Sequence, residues 1–330
     1  MSSKKHARII GMGSYLPSKI LSNADLEKMV DTNDEWIFSR TGIKERRLAG
    51  ETEYTSEMGA KAALKALENA GVAVEEIDIV LVASMTPDYI SPSTAVIIQR
   101  LIGAKNAAAM DLQAACTGFI YGLSMAKAYI ESGMYKNVLL IASEKMSAFV
   151  DYEDRNTCVL FGDGASAAVI SKEHSGLSID AICLGADGEM AELLYIPAGG
   201  SRQPSSTASL ENRQHYIKME GKELFKHAVR QMAGASKECL AKAGLSDTDI
   251  SWLIPHQANV RIMDAVAKNF SMPKEKVFKT IDKYGNTSAS SIAIALDELQ
   301  QQYDIQKGEH LLLVAFGAGL TWGASVLTKI

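Results

Sequence analysis

Runs of consecutive apolar residues alternate along the chain with stretches whose apolar positions recur every three or four residues. The first kind reads as strands buried on both faces, the second as helices with one face on a core. Strands are predicted at residues 8–12, 77–83, 107–112, 138–142 and 165–171, with helices at 56–69, 94–101 and 118–131 between them. The order then recurs, with strands near 179–184, 252–254, 277–280, 311–315 and 324–328 and helices near 222–242, 260–269 and 292–301. Segments 15–52, 85–93 and 199–214 break the pattern. Long irregular insertions in compact domains tend to carry function.

The two series repeat one another. Ala70-Gly71 and Ala243-Gly244 each close a predicted helix and each precede an isoleucine, Ile77 or Ile250, and an apolar run. Residues 137–142 match 310–315, and both matches share a spacing of 173. Gly164-Ala165-Ser166 recurs as Gly323-Ala324-Ser325 at a spacing of 159, which places extra chain between residues 142 and 162. Any α/β protein holds several helix–Ala-Gly–strand units, but two separate matches at one spacing favour duplication. Halves at residues 1–175 and 176–330 follow. Mixed sheets covered by helices predict an α/β body of five layers, α/β/α/β/α.

Composition narrows the function. Of 330 residues 47% are apolar and 22% charged, which excludes a disordered or fibrous chain. The 34 Lys and Arg against 39 Asp and Glu leave a net charge of −5, so nucleic acid and membrane surfaces are not expected partners. Residues 1–8 are polar and lack the apolar stretch of a secretory leader. The longest apolar run, 311–320, is half the ~20 residues a spanning helix needs. Cys116, Cys158, Cys183 and Cys239 stand far apart, with no C-x-x-C and no nearby histidine pair. Free thiols in a reducing cytosol, and no metal site, are the expectation.

Several motifs fail on inspection. Gly11-Met12-Gly13 follows a strand, but Leu16-Pro17 stands where a dinucleotide loop needs its third glycine and a helix start. Gly162-Asp163-Gly164 and Gly317-Ala318-Gly319 read as tight turns or sheet corners. One constellation survives. In Asp111-Leu112-Gln113-Ala114-Ala115-Cys116-Thr117-Gly118-Phe119 a cysteine sits where a strand ends and a helix begins. Free N–H groups and the helix dipole there favour a thiolate nucleophile. Pro255-His256-Gln257-Ala258-Asn259 ends a second-half strand, and Gly285-Asn286-Thr287-Ser288-Ala289-Ser290 precedes the helix that duplicates the Cys116 region. Singly, Cys116 reads as a small buried hydrophobe, His256 as a satisfied core histidine and Asn286 as a helix cap. Jointly they form a Cys/His/Asn set at strand ends, where α/β sheets place their sites.

These segments, with Asp31-Thr32-Asn33-Asp34-Glu35-Trp36-Ile37, Arg40-Thr41-Gly42-Ile43, Phe161-Gly162-Asp163-Gly164-Ala165 and the run from Phe316 to Gly323, make the chain resemble a known family. It is similar to the β-ketoacyl-acyl carrier protein synthases III, the initiating condensing enzymes of type II fatty acid synthesis, which have the thiolase-like fold. The resemblance implies that Cys116 takes an acyl group from acyl-CoA and that His256 and Asn286 stabilise the enolate formed when malonyl-acyl carrier protein loses CO₂. It implies an oxyanion site from the backbone of Cys116 and Ala318, although family members commonly have glycine at the latter. It places CoA on Thr32, Trp36, Arg40 and Arg155, with adenine between Trp36 and Arg155. Acyl carrier protein is expected at Gln257, Ala258, Asn259, Val260 and Arg261, with Lys226 on the neighbouring helix. A homodimer is implied, with segment 85–93 reaching the partner's acyl pocket, and Ser91 stands where members restricted to short primers often have phenylalanine. CoA thioester is then a substrate, with no cofactor and no metal. A starter-type polyketide synthase and a cysteine-dependent acyl-thioesterase would use the same residues.

Overall fold

The computed structural model describes residues 6–270 and 272–330. Nine strands form the central scaffold: β1 (Arg8–Tyr15), β2 (Ile79–Ala83), β3 (Ala108–Leu112), β4 (Asn137–Glu144), β5 (Gly164–Ser171), β6 (Leu177–Ala186), β7 (Ile250–Pro255), β8 (His310–Gly317) and β9 (Thr321–Lys329). They are hydrogen-bonded in the order β7-β8-β9-β6-β1-β5-β4-β2-β3. The link between β1 and β6 is only two residue pairs, Arg8↔Ser178 and Ile9↔Leu177. The scaffold is therefore two sheets joined at one corner. Six long helices cover them: α1 (Thr55–Ala70), α2 (Thr94–Ile102), α3 (Gly118–Ser132), α4 (Gly221–Ala243), α5 (Val260–Lys268) and α6 (Ser290–Gln302).

Alternation along the strands sorts the layers. Ile79, Leu81, Val138, Leu140, Leu311 and Leu313 share one core with Phe119 and Leu123 of α3 and Leu296 and Leu299 of α6. The intervening Val80, Val82, Leu139 and Ile141 face Met58 and Ala62 of α1 and Ile98 of α2. Leu312 and Val314 face Leu224 and Met232 of α4 and Val266 of α5. So α3 and α6 lie between the sheets, with α1 and α2 outside one and α4 and α5 outside the other. This is the five-layered thiolase-like body, and its middle layer carries the candidate site.

Pairing registers repeat at the spacing read from sequence. Ile79↔Val138 in β2–β4 becomes Trp252↔Leu311 in β7–β8, each residue moved by 173. The Ala-Gly repeats are helix ends: Gly71 and Gly244 hold φ of 63° and 73°, left-handed caps that favour glycine. Ala115 and Ser288, also 173 apart, share an unusual positive φ, 43° and 51°. One alignment needs correction. Ala142 pairs with Ser166 and Ala315 with Gly323, so the last strands match at 157, not 159. A shift of two residues keeps every side chain on its face, which is why the Gly-Ala-Ser match misled.

Residues 277–280 form no strand beyond one bridge, Leu253↔Val277. Gln257 explains this: its Oε1 accepts from Thr280 N at 2.9 Å and its Nε2 donates to Phe278 O at 3.3 Å, engaging backbone groups a ladder would use. Segment 15–52 is ordered rather than irregular. It holds a two-stranded ribbon, Lys19–Ser22 with Glu45–Leu48, and a helix, Asp34–Thr41. Fully buried Arg46 pins it, donating to Leu21 O (3.1 Å), Asn23 Oδ1 (3.0 Å) and Val159 O (2.7 Å).

Candidate active site

Cys116 lies in a single 3₁₀ turn, Ala115–Thr117, that runs straight into α3. Asp111, earlier in the same motif, is not a site residue: it accepts from Thr94 N and Ala95 N at 2.7 Å each and caps α2. Gly317, the last residue of β8, closes over the cysteine. A Cβ there would stand 2.8 Å from Cys116 N, so only glycine permits this approach. Ala318 has no positive φ, so the turn does not require glycine there, and the residue lines the same small cavity as Cys116. Cys116 rests as a thiol. Burial, with the charge of Glu144 adding, pushes Cys116 up to about 12, against the hydrogen bond from its Sγ to Ser288 Oγ at 3.6 Å. Burial thus works against the thiolate that the helix terminus favours.

His256 follows β7 and is 3% exposed. Its backbone N–H donates to Val314 O at 2.8 Å, and its Nδ1 lies 2.6 Å from Ser291 Oγ. That hydroxyl also accepts from Gln257 N at 3.3 Å. We assign the imidazole proton to Nε2, with Ser291 donating to Nδ1, so that the free N–H points away from α6. Burial pushes His256 down to about 3, so the ring stays neutral and acts as a donor rather than a cation. Asn286 is oriented in the same way: its Oδ1 accepts from Ser288 N at 2.8 Å, which leaves the amide NH₂ for a ligand. Its backbone is clamped across the halves, Asn286 N to Leu160 O and Gly162 N to Asn286 O. The motif at 161–165 thus positions Asn286. Asp163 within it accepts from Ala49 N and Ser147 N at 2.8 Å each.

Cys116, His256 and Asn286 line one cavity of about 150 Å³, walled by apolar side chains including Phe161, Leu224 and Phe316. On its far side Cys116 also borders a void of about 30 Å³ with Met85, Met146 and Ile217. The larger cavity shares Leu160, Met219, Phe225 and Asn259 with an open groove of about 700 Å³. Arg40, Lys222, Lys226 and Arg261 rim that groove, with Glu220 the one acid among them. A narrow apolar passage thus joins a basic groove to a buried thiol.

The outer residues divide. Trp36 and Arg40 line the groove; Thr32 and Arg155 do not, and Asn156, missed by sequence reasoning, does. Arg155 stacks on Trp36 with its guanidinium 4.8 Å from the ring centroid, and Arg40 lies 4.6 Å from the same ring. An adenine between Trp36 and Arg155 therefore requires the guanidinium to swing away from the ring. Gln257 has its side chain buried, its amide bracing the 278–280 backbone rather than facing the surface. Asn259 caps α5 by accepting from Arg261 N at 2.8 Å, Val260 packs against Gly42, and Arg261 and Lys226 are exposed. Ser91 is exposed and borders neither cavity at Cys116.

Sequence reasoning also missed Ser291, Ser288 and Glu144. The first two belong to a hydroxyl-rich helix start, and the third is a carboxylate closing an apolar strand, the kind of position that singled out His256. No group of histidine, cysteine, aspartate and glutamate suited to a metal occurs among the described residues, and no described helix is long and apolar enough to cross a membrane.

Two family models match, 3-oxoacyl-[acyl-carrier-protein] synthase III over residues 110–188 and its C-terminal region over 240–329. The β-ketoacyl-[acyl-carrier-protein] synthase III of Chlamydia caviae is 59% identical over 327 residues, covering 99% of this chain and 98% of its own. The crystal structure of the 3-oxoacyl-[acyl-carrier-protein] synthase III of Aquifex aeolicus superposes with a TM-score of 0.90 at 48% identity, over 98% of this chain and all of the other. The priming β-ketosynthase of the R1128 polyketide pathway superposes at 0.91 with 36% identity, over 100% and 98% of the two chains. Identity of this extent over whole chains settles the family: the chain belongs to the 3-oxoacyl-[acyl-carrier-protein] synthases III, an acyltransferase class.

Proposed function

We propose that the protein moves an acyl group from acyl-CoA onto Cys116 and condenses it with malonyl-acyl carrier protein to 3-oxoacyl-acyl carrier protein, releasing CoA and CO₂. The observation that carries this is the oriented pair beside the thiol. His256 and Asn286 each have their accepting side occupied, by Ser291 and by Ser288 N–H, and each turns a donor to the cavity that holds Cys116. Two neutral donors suit an enolate oxygen, because they hold developing charge without surrendering a proton. The Cys116 sulfur attacks the thioester carbonyl, its oxyanion resting on the backbone N–H of Cys116 and Ala318, and CoA leaves as thiol. Malonyl thioester then loses CO₂, and the enolate carbon attacks the acyl-cysteine and expels the Cys116 sulfur as thiolate, which takes up a proton from water to restore the thiol.

The groove supports the rest of the reading. Its volume and basic rim fit a nucleotide and a pantetheine arm, with Trp36 and Arg40 at the outer end and the apolar passage leading inwards. Arg261 and Lys226 beside the mouth suit an acidic carrier protein. A homodimer is supported by the free edge of β3 and by exposed Tyr89, Ile90, Val96, Leu101 and Met110 around it. Ser91 is exposed next to Tyr89 and Ile90 in the chain, and on this reading it reaches the partner's acyl pocket. Substituting phenylalanine, S91F, should shorten the range of primers accepted while acetyl-CoA remains a substrate; an unchanged primer profile would place the pocket floor elsewhere.

The test is mass spectrometry of the protein after incubation with a panel of acyl-CoAs, then product formation with malonyl-acyl carrier protein against malonyl-CoA. An adduct on Cys116 and a carrier-bound β-ketoacyl product support the proposal. Free CoA and acid without a new carbon–carbon bond would indicate a hydrolase. Likeness to the R1128 priming enzyme favours one second reading, a polyketide-starter role, which a primer profile unlike that of fatty acid initiation would support.

A further inference from the structure

Two threonine hydroxyls meet beside Cys116, one from each half of the chain. Thr117, next after the cysteine, is fully buried. Its Oγ1 lies 2.5 Å from Ala114 O, an oxygen that also accepts from the Thr117 backbone N–H at 3.0 Å. Thr321, the first residue of β9, is half-buried. Its Oγ1 lies 2.8 Å from Thr117 Oγ1, 2.9 Å from Ala318 O and 3.2 Å from Ala114 O. The hydroxyl pair thus bridges the turn that carries Cys116 and the turn between β8 and β9 that carries Ala318.

The internal repeat separates what is local in this arrangement from what is added. Counting by 173, Thr117 corresponds to Ser290 and Ala114 to Thr287. Ser290 makes the same two contacts, its Oγ 2.9 Å and its backbone N 3.2 Å from Thr287 O. A hydroxyl reaching back three residues is therefore how both halves enter their middle-layer helix, and the positive φ of Ala115 and of Ser288 falls inside these two turns. Thr321 is different. At the strand spacing of 157 it matches Gly164, so the first half sends no hydroxyl from that position to the Ser290 turn. The link between halves exists on the Cys116 side alone.

We propose that Thr321 is a positioning residue for acyl transfer: with Thr117 it fixes the separation of the two backbone donors, Cys116 N and Ala318 N, that receive the oxyanion. The proposal rests on the oxyanion site assigned to those two groups. The donors belong to different halves, so no local stretch of chain sets the gap between them. Contact at Gly317 limits how near the two turns come, and the hydroxyl pair resists their parting. Thr321 holds Ala318 by its carbonyl oxygen, while the Ala318 N–H has no acceptor among the described residues and stays open to a substrate. Each hydroxyl gives one proton and accepts another, so the pair works as a unit, one donating to the other and that one onward to a carbonyl. Oxyanion donors act by standing in place before charge develops. An error in their separation therefore slows a step that forms an oxyanion and spares one that does not.

The experiment sets two reactions of the same sulfur against each other in the intact protein. Acylation by acetyl-CoA passes through an oxyanion; alkylation by iodoacetamide does not. In Thr321→Val single-turnover acylation should slow by ~10–10²-fold, the scale of a displaced reacting geometry. Alkylation and the acetyl-CoA concentration giving half the maximal rate should stay as in the wild type. Thr321→Ser keeps the hydroxyl and should acylate at close to the wild-type rate. Thr117→Val breaks the pair from the first half and should show the same split. Equal slowing of both reactions, or a loss in Thr321→Ser as large as in Thr321→Val, would make residue 321 a part of the local fold and overturn the proposal. Wild-type acylation in Thr321→Val would overturn it too. Absence of any acetyl adduct on wild-type Cys116 would instead overturn the reading on which it rests. If Thr321→Val does not fold, the same two rates in Thr117→Val decide.

Discussion

The two halves offer the same positions to the middle of the molecule and fill them with opposite chemistry. Counting by 173, Ala83 at the end of β2 corresponds to His256 after β7, Cys116 before α3 to Ala289 before α6, and Glu144 ending β4 to Gly317 ending β8. The first half therefore places a thiol and a carboxylate where the second places an alanine and a glycine. The second places an imidazole where the first has a methyl group. The pairing is steric as well as chemical. Gly317 lacks a side chain because Cys116 N lies where its Cβ would project, and the Gly118 position is crowded by Ala83 Cβ and Ala289 Cβ at 3.0 and 3.3 Å. Duplication thus supplies two equivalent sets of strand ends, and the reaction needs one set reduced so that the other can be loaded.

If the division holds, removing the nucleophile should have the largest effect. Cys116→Ala should abolish acyl-enzyme formation with the fold intact, since the change deletes one sulfur and leaves the Ala115 and Gly317 backbones untouched. Intact-mass measurement with acetyl-CoA reads this directly, and stoichiometric acylation of the variant would remove Cys116 from the mechanism. Cys158, Cys183 and Cys239, buried away from the Cys/His/Asn cavity, should be dispensable for the adduct.

Second-half substitutions should separate the half-reactions. His256→Ala and Asn286→Ala should each lower CO₂ release from malonyl-carrier protein by about 10²–10³, the usual loss for one oxyanion donor, and slow acylation less. Equal losses in both steps would show that the second half chiefly positions Cys116, and the contrast between the halves would collapse.

Like the buried cavity, the groove is built by both halves, Arg40 from the first insertion and Arg261 from α5 lining it together. Arg261→Glu should raise the KM for carrier protein several-fold, with an effect that shrinks in salt because exposed charges are screened beyond about 8–10 Å. Acylation by acyl-CoA should suffer less. Unchanged carrier kinetics would move the docking face off the second half.

What the sequence disclosed follows the same physics. Strands buried on both faces and helices with one apolar stripe announce themselves by periodicity, so the layers, the repeat and the set of Cys116, His256 and Asn286 were legible. Gly317 and Ala318 were visible as a turn. The orienting partners were not, because a serine such as Ser291 or Ser288 has no pattern of its own, and only the approach of α6 to β7 and to Cys116 gives it a partner. The surroundings of Gln257 were hidden for a related reason. That residue adjoins the histidine in sequence, but the chain turns inwards there and spends its amide on backbone groups at 278 and 280. The closed stack of Arg155 on Trp36 was likewise beyond reach, since spacing reveals that two flat groups are present and not how far apart they stand.

The smallest expected effect concerns stability and sets His256 directly against Glu144. A histidine whose native pKa is pushed from 6.5 to about 3 refuses a proton that the unfolded chain accepts, so its contribution is lost as pH falls from about 6.5. A carboxyl pushed from 4.5 to about 7 does the reverse. The native state takes a proton before the unfolded chain does, so stability is gained as pH falls from about 7 towards 4.5. Between pH 6.5 and 4.5 the two oppose, one from each half, and the wild type should respond weakly to either alone. Glu144→Gln should unmask the histidine, so that its Tm falls more steeply on acidification from pH 7.5 to 5 than that of the wild type. His256→Ala should unmask the carboxyl and flatten or reverse the same slope, with differences of a few degrees at about 2–4 °C per kcal/mol for a chain of this class. Thermal unfolding of the three proteins at pH 7.5, 6 and 5 measures both slopes. Parallel curves would mean that the two buried groups do not titrate differently in the native state, and the electrostatic half of the contrast would fail while the steric half stood.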